Sequence, residues 1–310
     1  LTCDITSSSD VSCNGAGDGT ATVEGMGGTM PLEYLWSANA GAATTASVSG
    51  LSGGSYSVTV SDAAGCEVIC SVDIQEATSL LCTLVKDKDV SCNADTDGGA
   101  TVTASGGTPG YSYLWTSGET TPEASMLSPG MNFVTVTDSD NCTTVCALEI
   151  LEPAVVECSI ISTMDPLCAG ESTGTIEATG SGGTGVLEFS IDGGPFQSGG
   201  AFTNVVSAGM HTITVRDANL CTSTCMATLA DPQVLSCSTM MLQQSSCDMN
   251  DGSASVTAEG GVPNYMYLWD NTETTATATE LGAGNHEVTV TDANGCQAVC
   301  PSQTHPRHNC

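Results

Sequence analysis

The chain has 310 residues and a formal net charge of −31, because 35 acidic side chains face only four Lys and Arg residues. A chain this acidic cannot neutralise phosphate groups, which excludes nucleic acid as a partner. No apolar run reaches the length that spans a bilayer, which argues against membrane insertion.

Sixteen of the 17 cysteines follow one pattern that occurs four times. In each copy the first two cysteines are ten residues apart and the last two are four apart, and the copies start 76 to 79 residues apart. This period predicts a tandem array of four small domains, at 1–79, 80–155, 156–234 and 235–310, the last with the start of a fifth repeat. Such regular cysteines indicate an extracellular chain with paired thiols.

Each copy reads, in chain order, as strands separated by turns. A first loop carries the second cysteine, and a Gly-Gly turn then enters a strand that ends in Tyr-Leu-Trp in three copies. An alternating segment, residues 56–60 in the first copy, has the period of a half-buried strand. Asp62 to Cys66 and its counterparts predict a tight turn with a positive φ at Gly or Asn, a pattern that Leu220 breaks. These strand and turn patterns, together with the cysteines, predict an all-β fold of four immunoglobulin-like sandwich domains with two disulfides each.

The cysteine spacing limits the disulfide pairing. Cys66 and Cys70 are expected on one strand, about 13 Å apart, whereas a disulfide requires Cα atoms within about 7 Å. Pairing within a copy then leaves a nested or a crossed arrangement, and the nested one is favoured. The nested bridges are Cys3–Cys70, Cys13–Cys66, Cys82–Cys146, Cys92–Cys142, Cys158–Cys225, Cys168–Cys221, Cys237–Cys300 and Cys247–Cys296. A four-thiolate zinc site is disfavoured because the CxxC spacing is absent.

Cys310 stands outside this pattern. It follows Cys300 by ten residues, near the place where another copy would open, and reads as the first cysteine of a fifth repeat. Its partner is then absent from the chain, which leaves an artificial chain boundary, an unpaired thiol or a bond to another subunit. Cys310 is therefore a candidate intersubunit residue.

A few further residues are candidates for binding or modification. The candidate calcium ligands precede a glycine in the first loops: Asp18, Asp95, Asp97, Asp248 and Asp251. The bidentate Glu of a calcium loop is not in place, so a plain Asp-Gly turn is favoured. Asn141 opens a formal N-glycosylation sequon around Cys142. We predict no cofactor and no catalytic set.

The tryptophans and two histidines are predicted to be structural. Trp36, Trp115 and Trp269 share one strand position, which favours core packing over a sugar-stacking platform. His211 and His286 stand at the head of the alternating strand and are predicted to be surface residues of that strand, since no convergent catalytic group accompanies them.

These motifs resemble a known repeat. The residues concerned are Ser12-Cys13-Asn14-Gly15, Gly27-Gly28, Tyr34-Leu35-Trp36 and Asp62 to Gly65-Cys66, with a variant form in Phe189 to Gly194. They are similar to the SprB-type repeat, named after a gliding-motility adhesin of Bacteroidota, and the resemblance covers nearly the whole chain. It implies immunoglobulin-like domains in a secreted, surface-attached or filamentous protein, often exported by the type IX system. Members typically carry only the inner pair, which supports Cys13–Cys66 and makes Cys3–Cys70 an addition.

These features together predict a non-enzymatic extracellular structural protein that forms a cell-surface filament or stalk by head-to-tail self-association. The alternative is an adhesin segment that binds polysaccharide through the variable loops, residues 37–49 and 116–126. Glycans are the candidate ligands in that case.

Overall fold

The computed structural model describes residues 1–246 and 249–306. Contacts divide the chain into two compact units, Leu1–Pro153 and Ala154–Cys310, each of which holds two of the predicted repeats. Strands dominate both units, and among the described residues the helical structure is one 3-10 turn, Ala38–Ala40.

The first unit contains twelve strands, six in each repeat. They are β1 (Thr2–Ser9), β2 (Gly19–Met26), β3 (Leu32–Trp36), β4 (Ser47–Leu51), β5 (Gly54–Asp62), β6 (Glu67–Ile74), β7 (Leu81–Lys88), β8 (Gly98–Ser105), β9 (Ser112–Trp115), β10 (Glu123–Leu127), β11 (Gly130–Thr137) and β12 (Thr143–Ile150). The first repeat forms the sheets β1-β2-β4 and β3-β5-β6, and the second forms β7-β8-β10 and β9-β11-β12.

The second unit repeats this arrangement. Its strands are β13 (Glu157–Met164), β14 (Gly174–Ser181), β15 (Glu188–Ile191), β16 (Ala201–Val206), β17 (Gly209–Arg216), β18 (Thr222–Leu229), β19 (Ser236–Gln243), β20 (Gly252–Glu259), β21 (Met266–Trp269), β22 (Thr277–Leu281), β23 (Gly284–Thr291) and β24 (Gln297–Thr304). The four sheets are β13-β14-β16, β15-β17-β18, β19-β20-β22 and β21-β23-β24. In every repeat the first, second and fourth strands form one antiparallel sheet, and the third, fifth and sixth form the other. The two sheets make an immunoglobulin-like sandwich, so the predicted all-β fold class is confirmed.

Each sandwich closes around one core, in which the strand alternation is visible. Val58 and Val60 of β5 are fully buried, while Leu35 and Ile69 on the outer face of the same sheet are exposed. The core tryptophans Trp36, Trp115 and Trp269 are at most 2% exposed. Each indole Nε1–H donates to a threonine carbonyl of the same repeat at 2.9–3.0 Å. The prediction that the tryptophans pack in the core is confirmed.

The third residue of the fifth strand of every repeat fixes the bend that precedes this strand. Its side chain donates a hydrogen bond to the carbonyl four residues earlier, in the pairs Tyr56–Ser52, Asn132–Ser128, His211–Ser207 and His286–Gly282. The same bond defines the tyrosine corner of immunoglobulin-like domains. His211 and His286 are strand residues as predicted, but the predicted surface position is wrong, because their side chains are only 10% and 14% exposed. His211 is 8% exposed.

Both histidines also contact a carboxylate. His211 Nδ1 lies 2.7 Å from Asp192 and His286 Nδ1 lies 2.9 Å from Asp270. Burial alone would lower the pKa of His211, but its bonds to Asp192 and to the Ser207 carbonyl outweigh burial and raise the pKa. With acceptors at both ring nitrogens of His211, the imidazolium form of this side chain is favoured.

Leu220 provides a test of the hairpin turn that follows the fifth strand. It adopts φ +69, where the other repeats place Gly65, Asn141 and Gly295, and its side chain is 67% exposed. Because a side chain with a Cβ is strained at positive φ, we expect Leu220→Gly to raise the free energy of unfolding by about 0.5–1 kcal/mol, measured by urea titration. The control Ala218→Gly, at an ordinary φ, should lower it instead.

Candidate functional site at the junction between repeats

The disulfides divide into two classes. In every repeat the first strand is bonded to the last strand through the predicted outer bridge: Cys3–Cys70, Cys82–Cys146, Cys158–Cys225 and Cys237–Cys300. Four of the inner cysteines instead connect neighbouring repeats within one unit. Cys13 is bonded to Cys142 in the first unit and Cys168 to Cys296 in the second, with Cα–Cα distances of 5.6 and 5.7 Å.

The predicted inner bridges are therefore wrong. Because Cys13 and Cys142 bond each other, Cys13–Cys66 and Cys92–Cys142 do not form, and Cys168–Cys296 likewise replaces Cys168–Cys221 and Cys247–Cys296. Cys92 and Cys221 are disulfide-bonded as well. Cys66 is an exposed free thiol. Cys247 lies outside the described residues.

Strand direction explains why the inner pair cannot close within a repeat. The ends of β1 and β6 lie together, since a Cβ placed on Gly19 would contact both Ser9 and Ile74. The two strands therefore run in the same direction, with Cys3 beside Cys70. Cys13 follows the end of β1, whereas Cys66 precedes the start of β6. An eight-residue strand spans about 26 Å, far beyond the reach of a disulfide.

The loop that presents Cys13 is held by one carboxylate. Asp18 accepts hydrogen bonds from the Ser12 N–H at 2.9 Å and from the Ser12 hydroxyl at 2.5 Å. These bonds, the hydroxyl first, lower the pKa of Asp18. The same clamp is formed by Asp97 on Ser91 and by Asp251 on Ser246. Its function in the fold is to fix the residue directly before the first-loop cysteine.

The turn that presents Cys142 is held by a second carboxylate, Asp138. Asp138 Oδ2 accepts from the Thr108 N–H and Oδ1 from the Cys142 N–H, both at 2.9 Å. Asp62, Asp217 and Asp292 make the same two bonds in the other repeats. Asp138 is only 4% exposed. The bond from Thr108 contributes most to lowering its pKa, against the opposing effect of desolvation. The predicted Asp turn thus positions one sulfur of the junction.

These carboxylates predict that the junction weakens in acid. The folded-state pKa of Asp138 lies below the ordinary aspartate value of 3.8, so its contribution to stability is present above about pH 4 and is lost as the pH falls towards the folded pKa. We expect the melting temperature to drop between pH 5 and pH 2. Asp138→Asn should lower the melting temperature at pH 7 and flatten this dependence, whereas Asp140→Asn, on an exposed neighbour, should leave the slope unchanged. Equal slopes for both variants would contradict this role for Asp138.

The segment between repeats is bonded to the first loop that precedes it. Glu76 accepts from the Gly15 N–H at 2.6 Å and the Gly53 N–H at 2.9 Å, and Asn14 donates to the Ala77 carbonyl at 2.8 Å. Glu152 accepts from the Ala94 N–H in the second repeat, and Asp231 from the Gly170 N–H in the third. Each of these acidic residues therefore anchors the start of a connecting segment to the repeat that it follows.

Ser79, in the segment that connects the first and second repeats, packs against the Gly-Gly turn of the second repeat. This contact can be tested by substitution. A Cβ on Gly106 would lie 2.0 Å from the Ser79 carbonyl oxygen, whereas one on Gly27 would have no atom nearer than 3.9 Å. The two glycines have φ +71 and +73, so alanine is equally strained at both. We expect Gly27→Ala to cost about 1 kcal/mol and Gly106→Ala about 1–3 kcal/mol more, with faster proteolysis near Ser79. Equal losses would show that the packing is unimportant.

The remaining site predictions fall around this junction or outside the described residues. Asp18, Asp97 and Asp251 clamp serines, Asp97 also pairs with Lys88 at 3.1 Å, and the Asp95 N–H donates to the Cys92 carbonyl. Among the described residues, no group of three His, Cys, Asp or Glu side chains could hold a metal. The preference for plain Asp-Gly turns over calcium sites stays a prediction from the sequence. Asp248 and Cys310 lie outside the described residues.

Asn141 is part of the junction turn. It adopts φ +67 between Asp138 and the bonded Cys142, and it lines the crevice between the first and second repeats. Glycosylation there stays a prediction. The positive φ accounts for Asn at this position, where two other repeats have Gly.

Comparison with protein families identifies the repeat unit. A family model described as the SprB repeat matches residues 5–41, 87–120, 160–196 and 242–274. The chain contains four SprB repeats. Each matched segment covers the first-loop cysteine and ends before the turn cysteine, so the SprB match includes one half of the junction. With the disulfides, the four SprB repeats mark an extracellular repeat protein of adhesin type.

Solved structures give only distant similarity to the SprB array. The chain is similar to the three N-terminal domains of the highly immunogenic outer capsid protein of bacteriophage RB49, at 15% identity over 74% of this chain and 99% of that chain, with a TM-score of 0.33. It is also similar to the eight N-terminal Ig domains of Down syndrome cell adhesion molecule, at 9% identity over 98% of this chain and 47% of that chain, with a TM-score of 0.32. TM-scores this low establish neither fold nor function.

Among curated protein sequences, none matches the chain significantly. In the described part of the SprB array, no helix has both the length and the apolar character needed to cross a membrane.

Proposed function

We propose that this chain is a non-enzymatic structural protein that builds a cell-surface filament or stalk. The observation that carries the proposal is the disulfide between successive repeats, Cys13–Cys142 in the first unit and Cys168–Cys296 in the second. Each bonded pair of repeats is joined twice, once by the peptide chain and once by the disulfide. Two separate attachments restrict rotation between repeats, which a peptide linker alone would allow.

Double attachment suits a protein that transmits tension. A load on the second repeat is shared between residues 76–80 of the connecting segment and the Cys13–Cys142 bond, so hydrogen bonds at the junction need not carry it. Within each repeat the outer bridge, such as Cys3–Cys70, ties the first strand to the last and keeps the sandwich from being pulled open at its ends. A ligand-binding spacer would need only the outer bridge within each repeat, and not the disulfide between repeats.

Burial of the tryptophans also supports a structural function. Trp36, Trp115 and Trp269 are inside the cores and are not available as sugar platforms. In the second repeat, the variable loop 116–126 is held by Glu119, which accepts from the Ser125 N–H at 2.9 Å and the Met126 N–H at 3.2 Å. This loop is thus braced by its own carboxylate.

Electron microscopy of native, non-reduced material tests the proposal. We expect continuous fibres with a regular axial repeat, formed by head-to-tail self-association. Separate short rods that bind polysaccharide on a glycan array would overturn it and favour the adhesin segment. Isolated rods without glycan binding would also contradict the filament.

A further inference from the structure

The corner residue of each repeat, the third residue of its fifth strand, is matched to the residue that follows the third strand. In three repeats this second residue accepts a hydrogen bond from the backbone N–H next to the corner residue, through Ser37, Thr116 and Asp192 at 3.3, 3.3 and 2.9 Å. The two positions change together along the chain, in the pairs Ser37 with Tyr56, Thr116 with Asn132, Asp192 with His211 and Asp270 with His286. A carboxylate therefore accompanies each corner histidine, and a hydroxyl accompanies the other two corner residues.

His211 is held between two acceptors. Its Nδ1 lies 2.7 Å from Asp192 Oδ2, and its Nε2 lies 2.9 Å from the Ser207 carbonyl oxygen. The imidazolium form has two N–H groups and donates to both acceptors, whereas the neutral ring has one N–H and donates to only one. Deprotonation therefore sets a nitrogen lone pair against an oxygen, and the corner loses one of its two bonds.

Asp192 is the charged group that contacts His211. From the other elements around the ring, β18 presents Ala227 as the cross-strand neighbour, and the bend before β17 presents the uncharged Ser207. The side chain of His211 is 10% exposed, whereas that of Asp192 is 51% exposed. Water therefore reaches the carboxylate and can exchange protons with the pair, while the ring stays inside the corner.

The fourth repeat has the same arrangement. His286 Nδ1 lies 2.9 Å from Asp270, and its Nε2 lies 3.0 Å from the Gly282 carbonyl oxygen. Both repeats of the second unit thus have the histidine–carboxylate pair, whereas the first unit has Tyr56 and Asn132 at its corners. A phenol and an amide keep their protons over the range in which imidazole titrates.

We propose that the His211–Asp192 pair is a pH-sensitive switch that holds the corner of the third repeat only while the imidazole is protonated. Once the ring is neutral, the bend at residues 207–208 and the residue after β15 are no longer tied to the same side chain. The connection between β16 and β17 then loosens. The corners of the first unit do not change, so a rise in pH weakens the second unit selectively.

The pH range of the switch follows from the folded-state pKa of His211. Burial lowers this pKa, but the bonds to Asp192 and to the Ser207 carbonyl outweigh burial and raise it above the ordinary histidine value of 6.5. Stabilisation by the protonated ring is therefore complete below about pH 6.5 and is lost as the pH rises through the folded pKa. Asp192 stays ionised, because desolvation raises its pKa less than the bonds from His211 and the Thr212 N–H lower it.

Nuclear magnetic resonance of the 310-residue chain with labelled histidine tests the switch. We expect the His211 ring to titrate with a midpoint above pH 6.5. Amide exchange, corrected for its intrinsic pH dependence, should show a loss of protection at residues 207–212 between pH 6 and pH 9. Residues 52–57, the same segment of the first repeat, should keep their protection over this range.

Three variants separate the switch from a merely structural corner. His211→Asn copies Asn132, which donates to the Ser128 and Gly130 carbonyls, so it should fold and remove the pH dependence at residues 207–212. Asp192→Ser copies the first repeat and keeps the histidine, so the ring should titrate at lower pH than in the parent chain. The control His305→Gln removes a histidine outside the corners and should leave the pH dependence unchanged.

Three results would overturn the switch. They are a His211 ring that titrates at or below pH 6.5, an equal pH dependence at residues 207–212 in His211→Asn and the parent chain, and an unchanged ring titration in Asp192→Ser. If His211→Asn did not fold, the ring titrations of the parent chain and of Asp192→Ser would decide the question by themselves.

Discussion

Replacing Trp115 by Ala should lower the free energy of unfolding of the second repeat by about 3–5 kcal/mol. Trp115 is 2% exposed, lies against the fully buried Val134 and Val136, and donates its Nε1–H to the Thr121 carbonyl at 2.9 Å. Truncation leaves a cavity in the core and an unsatisfied carbonyl. In a domain of this size the loss approaches the whole stability of the core, so the variant repeat is expected to stay compact mainly through its disulfides.

Leu114→Ala is the matched control. Leu114 precedes Trp115 on β9 but is 57% exposed on the outer face, so its truncation should change the free energy by less than about 0.5 kcal/mol. Both variants are compared by urea titration and by tryptophan-region circular dichroism. If Trp115→Ala left stability intact and abolished binding to a glycan, the tryptophan would be a ligand platform and its assignment to the core would be wrong.

The sequence predicted the strands and turns well because their signals are local. The alternation at residues 56–60 and the Asp62 turn each depend on residues close in the chain, and both appear in the structure as β5 and its hairpin. Even the position of the exception, Leu220, was visible, although its φ of +69 was not. The outer bridge was predicted by nested pairing, and in the structure it joins Cys3 of β1 to Cys70 of β6 across the two sheets.

The inner bridges could not be obtained from spacing. Cys66 and Cys142 occupy equivalent positions in the first and second repeats. The cysteine pattern alone therefore cannot distinguish which of the two bonds Cys13. The deciding fact is that β1 and β6 run in the same direction, which carries Cys13 and Cys66 to opposite ends of the sandwich. In an immunoglobulin-like arrangement of six strands, the first and last strands are parallel. Nested pairing of both cysteine pairs would require the first and last strands to be antiparallel.

Removing the junction bond through Cys13→Ser with Cys142→Ser should uncouple the first two repeats. The bond closes a separation of 129 residues, for which loop-closure entropy corresponds to about 5 kcal/mol before any loss from overlap with the outer bridges. Each repeat keeps its own core and outer disulfide, so both should stay folded. We expect one cooperative melting transition of the bonded pair to separate into two, and amide exchange to rise in residues 12–18 and 76–80.

The outer bridge offers the contrasting variant. Cys3→Ser with Cys70→Ser opens a separation of 67 residues, worth about 4 kcal/mol by the same reasoning, but within one sandwich. Its amide exchange should rise in β1 and β6 while the junction segment stays protected. The two double variants therefore destabilise by similar amounts at different places. If both raised exchange in the same strands, or if the junction variant still melted in one step with residues 76–80 protected, the Cys13–Cys142 bond would not be what couples the repeats.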